Sequence, residues 1–409
     1  MKNDAPPEER RPAKSINPDE LAAVEELKTP DDLRRRLATA AFAFRGYNIT
    51  NLGRTRELLE HPAYGPTIRS HLEDASKICA SAIKHPVDLV ERVAREAKSS
   101  LHTYPEDLAL IVSVSLAQVQ ILREKFDIQF DQTPLTFGYS LGEMTALIAS
   151  GVYTLEAALT PILILARDTA ELGKDASMGV LFSRGGIIDL NLVNHLCVRI
   201  TNEGNGTIGV SSILSPNTML LIGQRETVDR FKQIMHDVLP KSVHLRKNPN
   251  RWPPVHTPIT WQKSIPDRAS VLMEKAPGGL TVPKPGILSC ITGGPDYNEY
   301  NSREMIRRWI DSPQKMWDVV DQTLAAGIDT VVHVGPEPNL IPATFTRLSI
   351  DVSSQLDGKS FSSMGLRAVS RIIRRRSWLT RLLSNDAALL RAPFVQQISL
   401  ENWLLDQIA

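Results

Sequence analysis

The chain has 409 residues, 42% of them hydrophobic and 23% charged, with a formal net charge of +1. Such a balance describes a soluble globular protein of two or three domains, and it excludes nucleic-acid or membrane attraction driven by overall charge. Cys79, Cys197 and Cys290 are too scattered for a disulfide framework or a metal motif and fit a reduced, cytoplasmic compartment. No secretory signal is visible, and no apolar run approaches the ~20 residues of a membrane-spanning helix.

Residues 1–30 read as a flexible leader with one short helix around Pro18–Leu27. Ordered structure is expected to begin with a buried parallel strand at Thr39–Phe44, which ends at Arg45-Gly46 and gives way to a loop through Gly53. Helices are predicted near 54–61, 66–83 and 86–98, with Pro66 and Pro86 at their starts. Pro105–Phe126 reads as a long buried helix.

A turn signal at Asp131–Pro134 then runs into a short apolar strand, and Gly138-Tyr139-Ser140-Leu141-Gly142 follows, before the small aliphatic helix that ends at Gly151. Strand, tight turn and helix with Gly-x-Ser-x-Gly at the turn is the nucleophile-elbow pattern. Its glycines let the backbone fold sharply, and the geometry lifts the Ser140 hydroxyl clear of the sheet. A chance Gly-x-Ser-x-Gly turn is the competing reading, and the strand–turn–helix context favours the nucleophile. Leu155–Leu172 continues helical, with Pro161 expected to kink or restart it.

Between about 177 and 250 the texture changes. Strands are predicted at Met178–Phe182, Val198–Ile200, Gly206–Val210, Thr218–Ile222 and Val243–Leu245, with helices at Asp189–Cys197 and Arg225–Val238. This reads as a small ferredoxin-like α+β subdomain, 177–250, inserted into an α/β-hydrolase-like main domain with a parallel sheet. The main domain would comprise 31–176 and 251–350, with later strands at Gly286–Ile291 and Thr330–Val334. Residues 351–409 are expected to form a tail, whose closing Ile398–Leu405 reads as a short terminal helix or peptide anchor. Within it Leu366–Leu383 reads as a basic amphipathic helix, packed on the body, docked to an acidic partner or in peripheral contact with a membrane.

Residues 39–348 together resemble the malonyl-CoA:acyl carrier protein transacylases and the acyltransferase domains of polyketide synthases. Gly138–Glu143 is similar to that family's Gly-His-Ser-x-Gly-Glu elbow, and Pro254–Ile259 to the segment with its catalytic histidine. Ser289–Pro295 resembles its Ser-Asn-Val-Thr-Gly-x-Pro strand end, and Val334-Gly335-Pro336 with Leu340 its Glu-Val-Gly-Pro-x-x-x-Leu signature.

The resemblance implies transfer of a malonyl or related acyl group from coenzyme A to the phosphopantetheine thiol of an acyl carrier protein, through a seryl acyl-enzyme. It implies no bound cofactor or metal, and the pathway would be fatty acid or polyketide synthesis. Ser140 would be the nucleophile and His256, 116 residues downstream, the general base, oriented by the backbone carbonyl of Trp309. The N–H groups of Leu141 and Tyr47 would hold the oxyanion. His333, in a buried strand, reads as a core residue.

The family's malonyl-type members pair the substrate carboxylate with an arginine, for which Arg167 is the one candidate here. It sits two residues out of register, a ~200° rotation in an uninterrupted helix, unless Pro161 absorbs the shift. Otherwise Arg167 is a solvated cation beside Asp168 or Glu171. Tyr139, Tyr47, Trp309, Ser212 and Leu214 all depart from the family's pocket residues, which fits altered acyl specificity. An acyl hydrolase on the same scaffold and a non-catalytic carrier-binding subunit are the rival readings.

Overall fold

A computed structural model describes residues 27–183, 186–357 and 388–407. The expected leader through residue 26 and the basic segment Leu366–Leu383 lie outside the described residues.

The centre of the fold is β1 (Ala40–Phe44), a run of five buried residues with no polar face. A strand buried on both sides needs cover above and below, which parallel sheets obtain from crossover helices. Accordingly α1 (Gly65–Ile83) and α2 (Tyr104–Phe126) follow before β2 (Leu135–Gly138) returns parallel to β1. By length and composition alone α2 passes for a membrane-spanning helix, but 78% of its most apolar window is buried inside the protein, as the sequence reading of a long buried helix has it.

After β2 come α3 (Leu141–Ala149) and α4 (Leu155–Gly173). The side chain of Thr154 caps α4 by accepting from the Ala157 N–H. Pro161 sits inside α4 without ending it. The expected restart does not occur, so the helical register runs unbroken past the proline.

Ala176 opens the inserted unit of β3 (Ala176–Ser183), α5 (Leu190–Asn202), β4 (Ile208–Ser215), β5 (Thr218–Gln224), α6 (Thr227–Ile234) and β6 (Val243–Arg251). The order β-α-β-β-α-β and an antiparallel sheet ordered β4-β5-β3-β6 make it ferredoxin-like. The strand expected at Val198–Ile200 is the last part of α5. Of its residues Ile200 falls on a 3.6-residue stripe with Val193, Leu196 and Cys197 that packs into the subdomain core, while Val198 is exposed.

The main domain resumes with α7 (Ile265–Lys275), β7 (Gly286–Leu288), α8 (Ser302–Asp311) and β8 (Thr330–Val334). Then α9 (Leu340–Asp357) extends well past the point where the sequence pattern faded. The expected tail is corrected by β9 (Gln396–Ser399), a strand of the main sheet, while the expected short terminal helix is present as α10 (Leu400–Asp406). Strand β9 pairs parallel with β8, and Leu400, Trp403 and Leu404 are buried in the main core. Those twenty described residues are part of the body because an edge of the sheet is available to them.

The five-stranded parallel sheet has the order β7-β2-β1-β8-β9. Its register brings Phe44 opposite both Gly138 and Val334, so β1, β2 and β8 end at one level. The loops that follow, beginning at Arg45, Tyr139 and Gly335, therefore share one crevice at the carboxyl ends of the strands, where open α/β sheets bind ligands.

Candidate active site

The turn from β2 into α3 is as tight as its sequence demands. A Cβ on Gly138 would lie 2.0 Å from the Gly142 carbonyl carbon, and one on Gly142 would lie 2.0 Å from the Phe44 oxygen. Glycine is required at both. Between them Ser140 has φ 55° and ψ −118°, a conformation that costs on the order of 1–3 kcal/mol and persists only when the surroundings enforce it.

Hydrogen bonds on both sides of the serine provide that enforcement. Its N–H donates to Gln314 Oε1 at 3.2 Å, and its carbonyl accepts from the Trp309 indole Nε1 at 2.9 Å. The helix behind it is anchored by buried Glu143, which accepts from Ser289 Oγ at 2.5 Å, Tyr297 OH at 2.9 Å and the Cys290 N–H at 3.1 Å. Among the described residues no cation accompanies this carboxylate, and burial pushes its pKa up to about 7.

His256 reaches Ser140 from the loop after β6. Its Nε2 lies 2.7 Å from Ser140 Oγ, and its Nδ1 lies 2.6 Å from the Trp309 carbonyl oxygen. A carbonyl can only accept, so Nδ1 carries the proton and Nε2 presents its lone pair to the serine hydroxyl. The His256 N–H donates to the Ile310 carbonyl at 2.6 Å, so α8 holds both the ring and the backbone. Burial holds the imidazole pKa down at about 4, opposed by the Trp309 hydrogen bond. The ring is thus neutral across the physiological range and poised to accept a proton.

Gln314 is the residue that sequence reasoning missed. It is fully buried, and its backbone bridges to β4: its N–H donates to the Ser211 carbonyl and its carbonyl accepts from the Ile213 N–H. Its amide nitrogen lies 3.3 Å from His256 Nδ1. With Nδ1 already protonated toward Trp309, that contact is not a hydrogen bond, and the oriented interaction is Oε1 with the Ser140 N–H. Nothing local singled it out, since Asp311, Ser312, Lys315 and Asp318 around it are also polar.

These groups open on a cavity of about 770 Å³ between the main domain and the ferredoxin-like unit. Tyr47 and Leu141, expected to supply the oxyanion N–H groups, both line it. Neither N–H has an acceptor among the described residues. The Tyr47 ring packs edge-on against Tyr104 at 4.8 Å and Trp252 at 5.8 Å, which fixes the loop after β1. Arg45 is buried next to it, but its guanidinium donates to the carbonyls of Gly46 and Pro336 and to Asn51 Oδ1. It fastens two loops together and is not part of the cavity wall.

The structure therefore brings together Ser140, His256, the Trp309 carbonyl, Leu141 and Tyr47. It does not bring Arg167. That side chain is exposed and lines no part of the cavity. Because α4 is continuous through Pro161, nothing absorbs the two-residue shift, and the ~200° rotation turns the arginine outward. Leu165, two residues earlier, faces inward instead, lining an apolar recess of about 30 Å³ behind Trp309 and Tyr104. His333 is buried, with Nε2 3.2 Å from Gln397 Oε1, and is remote from this chemistry.

No family model and no curated protein matches the chain. Solved structures do. FabD from Acinetobacter baumannii superimposes with a TM-score of 0.62 at 16% identity, covering 76% of this chain and 91% of that one. The malonyl-CoA:acyl carrier protein transacylase of Xanthomonas oryzae pv. oryzae gives 0.59 at 19%, covering 75% and 90%. MCAT from Streptococcus pneumoniae gives 0.59 at 18%, covering 75% and 92%. With both sheets and nearly the full length of these enzymes accounted for, the chain has the fold of the malonyl-CoA:acyl carrier protein transacylases.

Proposed function

We propose that the protein is a serine acyltransferase that moves an acyl group from a coenzyme A thioester to the phosphopantetheine thiol of an acyl carrier protein. The observation that carries this reading is the Ser140 Oγ–His256 Nε2 contact at 2.7 Å, with Nδ1 held by the Trp309 carbonyl at 2.6 Å.

As Ser140 Oγ attacks the thioester carbonyl, its proton passes to His256 Nε2. The developing oxyanion lies toward the N–H of Leu141, at the first turn of α3, and the N–H of Tyr47. Collapse of the tetrahedral intermediate breaks the C–S bond, and the departing thiolate takes the proton from Nε2. The carrier thiol then repeats the sequence in reverse, giving its proton to Nε2 and displacing Oγ. The carbonyl behind Nδ1 adds no charge of its own. It fixes the tautomer and stabilises the transient imidazolium by a hydrogen bond.

Intact-protein mass spectrometry after incubation with acyl-CoAs tests this directly. A covalent adduct is expected on the wild type, absent in Ser140→Ala, and discharged by added holo carrier protein. An adduct that decays equally fast without carrier protein would instead identify a hydrolase. Failure of every thioester to label Ser140 would leave only a carrier-binding role.

A further inference from the structure

Resting on that reading, we infer that the acyl group carried by Ser140 is uncharged and apolar, not a dicarboxylic one such as malonyl. Six aromatic side chains surround the serine and histidine: Tyr47, Tyr104, Tyr139, Trp252, Trp309 and Trp317. Beyond them the wall continues with Met178, Val180, Leu214, Leu220 and Leu340.

Among the described residues, two charged side chains line the cavity, Arg347 and Asp351. Both are exposed, both belong to α9, and they oppose each other in sign one helical turn apart. Arg347 donates to Thr218 Oγ1 at 2.9 Å. A free carboxylate on the acyl chain would have to leave water for a wall that is mostly aromatic and aliphatic, with neutral polar groups such as Asn48 and Ser211 beside it, and that transfer is unfavourable without a paired cation.

Two further arginines, one beside the site and one on α4, are also accounted for. Arg45 is committed to Gly46, Pro336 and Asn51, and Arg167 projects to solvent on the opposite side of α4. The inward face of α4 presents Pro161, Ile162, Leu165, Ala166 and Thr169 to the recess beside the main cavity. Tyr104, Leu108, Val255 and Trp309 line both spaces, so an apolar acyl chain at Ser140 has an apolar continuation next to it.

The test is a competition for Ser140 between malonyl-CoA and octanoyl-CoA at equal concentration, read as the ratio of the two intact-mass adducts at early times. At least a tenfold excess of the octanoyl adduct is expected. A malonyl adduct equal to or larger than the octanoyl one overturns the inference while leaving the acyl-enzyme reading intact. Absence of both adducts overturns the acyl-enzyme reading itself, and this inference with it. Arg167→Ala is expected to leave the ratio unchanged, since its side chain points away from the site. A selective loss of malonyl labelling in that variant would show that a cation does reach the acyl group.

Discussion

At the level of single residues, the site depends on which nitrogen of His256 carries the proton. The Trp309 carbonyl settles it, and burial lowers the imidazole pKa to about 4. As the proposed base, the ring is in its working form down to that value, and protonation removes it below. We expect kcat/KM for acylation to be flat from pH 8 to about 5 and to fall with a midpoint near 4. A midpoint near 6.5 in stopped-flow acylation would mean that the ring is solvated in the working enzyme. Gln314 makes a separate prediction. Gln314→Leu keeps the volume but leaves the Ser140 N–H unpaired in a half-buried turn, a cost of about 1–3 kcal/mol at most. If that cost loosens the serine, kcat should fall by roughly tenfold or more with KM little changed. A loss confined to KM would place Gln314 in substrate binding. Trp309→Phe removes the indole donor to the Ser140 carbonyl but keeps the carbonyl that orients His256. A smaller loss than in His256→Ala is expected, with the acid limb unmoved.

At the level of elements, much of the site was legible in advance because its motifs are local. Gly138–Glu143 announces a turn that only glycine permits, and Pro254–Ile259 places His256 on a short loop. Arg167 shows the limit of such reading. Whether a proline breaks a helix is decided by what packs around it, and α4 runs straight through Pro161. Gln314 was missed for a related reason, since its partners are 174 residues back at Ser140 and about a hundred back on β4. The elbow helix yields a prediction about pH and stability. Folding raises the Glu143 pKa from 4.5 to about 7, so the folded state holds this proton more tightly than the unfolded chain does. The resulting stabilisation is complete below 4.5 and is lost as pH rises through 7. Glu143→Gln cannot ionise there. Its thermal midpoint, lower than wild type at pH 5, should therefore draw closer to wild type by pH 8. A constant difference between the two proteins would show that Glu143 is not protonated in the folded state.

For the whole molecule, the least legible part was the C-terminus. Nothing local in Gln396-Gln397-Ile398-Ser399 marks a strand that belongs to a sheet begun at Ala40, because the edge it joins is created by residues far away. Its attachment is nevertheless extensive. Arg391 donates to the carbonyls of Leu324 and Gly327, and Trp403 Nε1 donates to the Leu27 carbonyl at 3.0 Å. Buried Glu401 accepts from the Glu337 N–H at 3.1 Å, in the turn whose Pro336 carbonyl holds Arg45. This chain of contacts leads from α10 to the loop carrying Tyr47, so the C-terminal segment supports the site as well as the core. Leu390, Leu400, Trp403 and Leu404 are all buried, and together they contribute about 6–12 kcal/mol by area. That is comparable with the whole stability of a typical domain, about 5–15 kcal/mol. A chain ended at residue 357 should therefore lose cooperative thermal unfolding and the acyl-enzyme adduct together. The full-length Trp403→Ala variant is the graded version. It should stay folded and catalytically competent at low temperature while losing about 3–5 kcal/mol in urea unfolding. A truncated chain that unfolded cooperatively at the wild-type midpoint would show that β9 and α10 are dispensable cover, with the sheet complete at β8.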